Sequence, residues 1–227
     1  MTFETTQQPL TIPVDREHGR LRLAILLSFI VIWVFGYAII NALLPNMGLN
    51  LLAIILGFGA AYLGTAVLER YLKQHWPSGR AVQLDAKGVR LMQGGAVQEN
   101  MATDADVSLI LWRFEVKKRA RVPKGHWMLA GALRSDERYL PVYTFMPPGD
   151  LEAYEYRESF KVLAGKRERE THPQNNLRQD LRLAGEQRRL MEAENVRWVS
   201  GVEMTTDEFK LYIDGLLTRY PEWRPLN

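Results

Sequence analysis

Cysteine is absent from all 227 residues of the sequence. Without a thiol there is no disulfide, no thiolate zinc site and no cysteine-ligated iron–sulfur cluster. Reducing and oxidising compartments both tolerate such a chain, so cysteine content does not place it. The net charge of +3 is also small. It lacks the concentrated basic face of a nucleic-acid-binding domain, and we expect no nucleic-acid partner.

Familiar catalytic and metal-binding motifs are missing as well. Gly94 and Gly95 are not followed by the Gly-Lys-Ser/Thr of a phosphate-binding loop, and neither Gly-x-Ser-x-Gly nor His-Glu-x-x-His occurs. The four histidines are scattered along the chain. Glu99, Asp104 and Asp106 lack the alternating oxygen ligands of a calcium loop. We therefore predict a protein that is not an enzyme and that binds no metal and no cofactor.

Two long apolar runs, Leu23–Leu44 and Leu49–Leu68, contain no Asp, Glu, Lys, Arg or His. Each has about the 20 residues that a helix needs to cross a bilayer core of ~30 Å. We predict a transmembrane helical hairpin over residues 23–72, preceded by a flexible tail over residues 1–22. Ionisable residues inside a membrane mark proton paths, ion paths and haem ligands. Their absence argues against a transporter, a pump subunit or a haem-binding helix pair.

Basic residues flank the hairpin on both sides, at Arg16, Arg20, Arg22, Arg70, Lys73 and Arg80. The connection at Pro45–Asn50 carries no charge. The positive-inside rule then predicts an integral two-pass membrane protein with both termini in the cytoplasm.

Small residues recur at four-residue spacing in the second helix. Ala53, Gly57 and Ala61 follow one line, and Ala60 and Gly64 follow a neighbouring line. Small residues allow two helix backbones to approach closely in lipid. We predict a helix-docking face, which packs on the first helix of the hairpin, on a helix of another membrane protein, or on both, since a helix has two sides.

After the hairpin the pattern becomes that of a small β-rich module over residues 80–164. The expected strands are Ala81–Leu84, Val89–Met92, Val97–Met101, Val107–Val116, Trp127–Leu133 and Tyr139–Phe145. Short, evenly spaced strands predict an antiparallel sheet or a partly closed barrel. Asp150 is a good N-cap for a helix over Leu151–Leu163, which we expect to close one end of the sheet.

A basic turn joins two of these strands and contains Lys117, Lys118, Arg119, Arg121 and Lys124. In a membrane-tethered module these side chains are candidates for contact with anionic lipid headgroups, at ~1 kcal/mol each. The alternative is a solvated hairpin tip whose charges prevent edge-to-edge pairing.

Residues 165–227 form a predicted helical C-terminal extension. Leu177–Asn195 is rich in helix formers, and the capping box Thr205–Glu208 opens a second helix. The second helix has a clean apolar face made of Phe209, Tyr212, Ile213, Leu216 and Leu217. This face is a candidate surface for a partner helix, and packing on the β module or on the membrane surface are the alternatives.

The order of these elements resembles a known family. Asp85, Gly88 and Val89 in a strand pair, Trp112 in a later strand and the Tyr139–Phe145 strand look like bacterial pleckstrin-homology-like domains of the YcxB-like type that follow a two-helix hairpin. The resemblance covers Leu23–Leu163, and the C-terminal third has no counterpart. It implies a cytoplasmic binding module held against the bacterial plasma (inner) membrane, without a catalytic residue set.

These observations predict a membrane-anchored α+β protein. The expected function is that of a non-catalytic accessory or scaffold subunit that docks onto a larger membrane protein complex through its hairpin and module. Membrane lipids and other membrane protein subunits are the expected partners. The alternative is a stand-alone pleckstrin-homology-like module that senses anionic lipid or a small ligand at the cytoplasmic membrane face.

Overall fold

The structure is a computed structural model, and it describes residues 8–16, 18–44, 50–117, 122–164, 177–223 and 225. The chain divides into two compact units. One contains residues 15–78, and the other contains residues up to Val14 together with those from Gly79 onward. The unit of residues 15–78 is therefore inserted, in the sequence, between the two segments that form the other unit.

The inserted unit is a pair of helices, α1 (Gly19–Leu43) and α2 (Leu51–His75). Asn50 starts α2 as its N-cap residue. Its Oδ1 accepts a hydrogen bond from the Ala53 N–H at 3.1 Å, and its Nδ2 donates to the Leu44 carbonyl at 2.7 Å. The buried Asn50 side chain thus satisfies backbone groups at the end of α1 and at the start of α2.

Both helices are long and apolar enough to cross a membrane. In their most apolar 18-residue windows, only 6% of the α1 residues and 22% of the α2 residues are buried. The central helix of a soluble protein is mostly buried, because its apolar face packs in the core. These helices instead direct most of their large apolar side chains outward.

The larger unit begins with a strand, β1 (Leu10–Pro13). It pairs antiparallel with β2 (Arg80–Asp85), with Ile12 opposite Val82. The prediction of a flexible tail over residues 1–22 is therefore wrong for this segment. Ile12 and Val14 are buried in the core, and this apolar burial holds the strand in place.

The sheet that starts with β1 continues through β2, β3 (Gly88–Gln93) and β4 (Ala96–Ala102), in that order. A second sheet contains β5 (Ser108–Glu115), β6 (Trp127–Ser135) and β7 (Arg138–Met146) as antiparallel neighbours. These strands confirm the predicted α+β class and closely follow the predicted runs. Within the described ranges they form two sheets and do not close into a barrel.

The predicted helix over Leu151–Leu163 is not formed. A one-turn helix α3 (Pro148–Glu152) is followed by a 3-10 turn (Arg157–Ser159) and by β8 (Lys161–Val162), which pairs parallel with β5. Leu151, Tyr154 and Phe160 are nevertheless buried. The apolar residues thus reach the core on an irregular segment, because pairing with β5 overrides local helix preference.

The C-terminal segment contains α4 (Leu177–Ser200), β9 (Val202–Glu203) and α5 (Thr206–Arg219). β9 adds to the second sheet beside β7 in parallel orientation. Thr205 and Glu208 form the predicted capping box at the start of α5. A final 3-10 turn covers Pro221–Trp223. The β strands and the C-terminal segment belong to one folded unit, so residues 165–227 are not a separate extension.

Candidate functional site

The first candidate surface is the line of small residues on α2. Ala53, Gly57, Ala61 and Thr65 are the buried residues of this helix. A Cβ added to Gly57 would lie 3.0 Å from the Tyr37 nitrogen and 3.4 Å from the Trp33 carbonyl oxygen, both on α1. The two helix backbones therefore touch at Gly57. This line packs inside the hairpin, as in the first of the two alternatives, and is not exposed to another protein.

The neighbouring line has a different environment. Gly64 is half-buried, and a Cβ added there would lie 3.4 Å from Ile32 Cδ1 of α1. Ala60 is exposed, and a Cβ added to the adjacent Gly59 would have nothing within 4 Å. Gly59 and Ala60 are thus small, exposed residues on the outer surface of the hairpin, where a helix of another protein can approach without displacing α1.

The apolar face of α5 lies in the core. Phe209, Tyr212 and Ile213 are 0% exposed and Leu216 is 1% exposed, while Leu217 is half-buried against the same core. The interpretation of these residues as candidates for a partner helix is therefore wrong. They occupy the first of the three places considered for this helix, the module itself, where they share one core cluster with side chains of both sheets.

The C-terminal end of α5 also holds the strands on either side of the inserted hairpin. Arg219 donates from Nη2 to the Gln8 carbonyl, just before β1, and from Nη1 to the Leu84 carbonyl of β2, each at 3.1 Å. The Tyr220 hydroxyl lies 2.5 Å from the Asp85 carbonyl oxygen and 2.9 Å from that of Gly88. Arg219 and Tyr220 thus attach the start of β1 and the β2–β3 turn to the C-terminal end of α5.

The basic turn between β5 and β6 is described only at its ends. Lys117 and Lys124 are exposed there, and Lys118, Arg119 and Arg121 lie outside the described residues. The two sides of the turn are joined by a hydrogen bond from the Val116 N–H to the His126 carbonyl at 2.8 Å. The two described lysines are available to an anionic surface.

Sequence reasoning missed a polar cluster between α4 and the second sheet. Glu194 accepts hydrogen bonds from Trp112 Nε1 at 3.0 Å and from Arg197 Nε at 2.8 Å, and its other oxygen lies 2.6 Å from Arg197 Nη2. Arg197 is 4% exposed, and its guanidinium lies 4.7 Å from the centre of the Tyr143 ring. The Tyr143 hydroxyl in turn donates to Glu203 at 2.9 Å.

Spacing places Glu194 and Arg197 on one face of a helix, which is a signal for an ion pair. The same spacing says nothing about Trp112, which lies 82 positions away in the sequence. The bidentate geometry and the low exposure of both side chains are those of a strong, desolvated ion pair. Its contacts hold a helix on a sheet.

Two tyrosine hydroxyls in the core, those of Tyr212 and Tyr154, have no hydrogen-bond partner among the described residues. Desolvation by burial raises the pKa of both phenols above the ordinary value. Burial and the neighbouring Glu155 also raise the pKa of the Asp214 carboxyl. The phenols stay protonated at neutral pH and do not act as bases there.

Within the described ranges, no group of three or more His, Cys, Asp or Glu side chains is placed to hold a metal ion. No family model, curated protein or solved structure matches the chain.

Proposed function

We propose that this protein is a non-catalytic, membrane-anchored accessory or scaffold subunit that docks onto a larger membrane protein complex. The hairpin of α1 and α2 spans the membrane, and the β-rich module carries both termini on the cytoplasmic side. The observation that carries the proposal is the outward-facing apolar surface of the hairpin.

That surface is extensive. Phe35 and Val67 are 65% and 72% exposed, and exposed Leu, Ile, Val and aromatic side chains occur along both helices. In water such a surface would cause aggregation, whereas a lipid bilayer solvates it. The internal packing at Gly57 leaves an exposed part of α2, around Gly59 and Ala60, for contact with a further helix. Association of helices in lipid depends on such close approach.

The structure of the β-rich module also supports a role in binding other proteins rather than in catalysis. Its core is filled by side chains from both sheets and α5, and its buried charged cluster holds α4 on the second sheet. In the described ranges, the buried charged cluster of Glu194 and Arg197 thus stabilises the packing of the module itself.

The proposal is tested by mild-detergent purification of the full chain from its native membrane, followed by native mass measurement. We expect stoichiometric membrane protein partners. Ala60→Leu would fill the exposed site on α2 and reduce the recovery of partners by about tenfold, which corresponds to ~1.4 kcal/mol of lost association free energy. Val67→Leu is the matched control, because Val67 is already large and is 72% exposed.

A monomer or homo-oligomer without partners would refute the subunit proposal. Equal recovery of partners with Ala60→Leu and with wild type would place the docking surface elsewhere.

A second candidate function, sensing of anionic lipid, is favoured by the exposed Lys117 and Lys124 at the ends of the basic turn. Under this alternative, the full chain in nanodiscs retains anionic lipid preferentially in native mass spectra. Reversal of both charges to Glu would abolish that preference, and an unchanged lipid count would exclude the alternative.

A further inference from the structure

Helix α4 is held on the second sheet differently from the way α5 is held in the core. Of the α4 side chains that the structure describes, from position 183 onward, the buried apolar ones are Leu190 and Ala193. By contrast, α5 buries four large apolar or aromatic side chains, at Phe209, Tyr212, Ile213 and Leu216. An element with few buried apolar side chains opens locally at a lower free energy than the core does.

Polar contacts also attach α4 to the rest of the module. At one end, the Gln187 amide accepts from the Ala164 N–H and donates to the Val162 carbonyl, each at 3.0 Å. At the other end, Glu194 joins Trp112 to Arg197. Between them, the Tyr139 hydroxyl donates to Glu192 at 3.1 Å.

These contacts are sensitive to the loss of one partner. The Glu194 and Arg197 side chains are 15% and 3% exposed. A desolvated charge that loses its partner is strongly destabilised, whereas an exposed hydrogen bond contributes little. Both charges lie on α4, three positions apart, so detachment does not break the pair. The pair instead keeps the buried Arg197 charge compensated while the helix lies on the sheet.

We propose that α4 is a detachable helix, which leaves the second sheet while the rest of the module stays folded, and that the Glu194–Arg197 ion pair controls how often it does so. The proposal concerns the module alone and is independent of whether the hairpin binds another protein.

Detachment would uncover an apolar surface. The buried residues on this face of the second sheet are Trp112, Met128, Ala130, Ala132 and Tyr143. The alanines leave a shallow groove between the two aromatic side chains, and the Trp112 N–H is available there for a carboxylate. The ligand that fits is an amphipathic helix that presents a small apolar ridge and a carboxylate, the chemistry that α4 itself presents through Ala193 and Glu194.

Hydrogen exchange of the detergent-solubilised full chain tests detachment. We expect α4 amides from position 187 to 197 to exchange at least about tenfold faster than those of α5 in the wild type. Glu194→Gln keeps the side-chain volume but removes the charge, and it should accelerate α4 exchange by a further factor of about 10–100 without changing α5. Glu192→Gln is the control, with an expected change of less than about threefold, because it removes only the charge of an exposed hydrogen-bond acceptor.

A labelled peptide of residues 183–201 tests the uncovered face. The apparent affinity of a ligand rises in proportion to the fraction of protein in the open state. The peptide should therefore bind the Glu194→Gln protein more tightly than the wild type, by the same factor as the increase in α4 exchange.

Identical exchange of α4 and α5 in the wild type would overturn the proposal even if the Glu194→Gln variant failed to fold. Equal acceleration of both helices, or no acceleration of α4, would exclude a controlling role for the ion pair. Faster α4 exchange without tighter peptide binding would show that the uncovered face does not accept a helix.

Discussion

Replacement of Gly88 by Ala should destabilise the module far more than replacement of Gly94 by Ala. Both glycines have positive φ, at 133° and 57° respectively, so each variant places an L-residue where only glycine is comfortable. At Gly94 nothing lies within 4 Å of the added Cβ. The expected cost there is about 1 kcal/mol, the conformational term alone.

At Gly88 the added Cβ collides with the backbone of β4. It would overlap the Met101 carbonyl oxygen and lie 2.9 Å from the Cα of Ala102. Backbone atoms cannot move aside as a flexible side chain can, so the β3–β4 pairing must open at this end. The hydrogen bond from Tyr220 to the Gly88 carbonyl is disturbed as well. We expect a loss of about 3 kcal/mol or more.

Urea unfolding of the detergent-solubilised full chain measures this difference. Trp112 and Trp223 are buried in the module and should report its unfolding by their fluorescence. A loss of about 3 kcal/mol corresponds to a fall in melting temperature of roughly 6–12 °C for a domain of this size. If Gly88→Ala and Gly94→Ala destabilised the module equally, within about 0.5 kcal/mol, the reasoning from the close contact with β4 would be wrong.

Three further predictions concern the hairpin, its orientation and pH. Gly57→Leu should destabilise the packing of α1 on α2 by about 1–3 kcal/mol, measured by circular dichroism during SDS titration. Gly59→Leu should leave this packing unchanged, and equal effects of the two variants would contradict backbone contact at Gly57. In the cysteine-free chain, a membrane-impermeant maleimide should label Met47→Cys in intact cells and Lys124→Cys only after lysis, and the reverse pattern would refute the proposed orientation. Burial raises the pKa of Tyr220 to about 12. The contribution of Tyr220 to stability should therefore be complete below the ordinary pKa of a tyrosine and decline as the pH rises towards 12. Tyr220→Phe should reduce this alkaline decline in the urea midpoint, and an unchanged pH profile would contradict the prediction.

The local elements of this protein follow from local sequence signals. Two uncharged apolar runs predict α1 and α2 because a membrane-length helix needs only composition and length. The turn glycines and alternating apolar residues predict β2 through β7 to within a few residues. Thr205 and Glu208 predict the start of α5, because both partners of a capping box lie within one turn of helix.

The sequence-based predictions were wrong where pairing with a distant strand decides the conformation of a short segment. Leu10–Pro13 has too few residues to be recognised as a strand, and it becomes one because β2 offers a free edge and the core buries Ile12. The apolar pattern over Leu151–Leu163 is compatible with a helix, but pairing of Lys161–Val162 with β5 imposes a different backbone. In both cases long-range pairing decides the conformation of a short segment.

The sequence by itself determined the apolar hairpin, the strand runs and the amphipathic character of α5, because each depends on residues that are close together in the chain. Tertiary structure alone decided what the apolar faces contact. It placed the small residues around Gly57 against α1 and the Phe209 face in the core, and it joined Glu194 to Trp112 across 82 positions. An amphipathic face specifies that apolar area must be buried, and the choice of the surface that buries it depends on the whole fold.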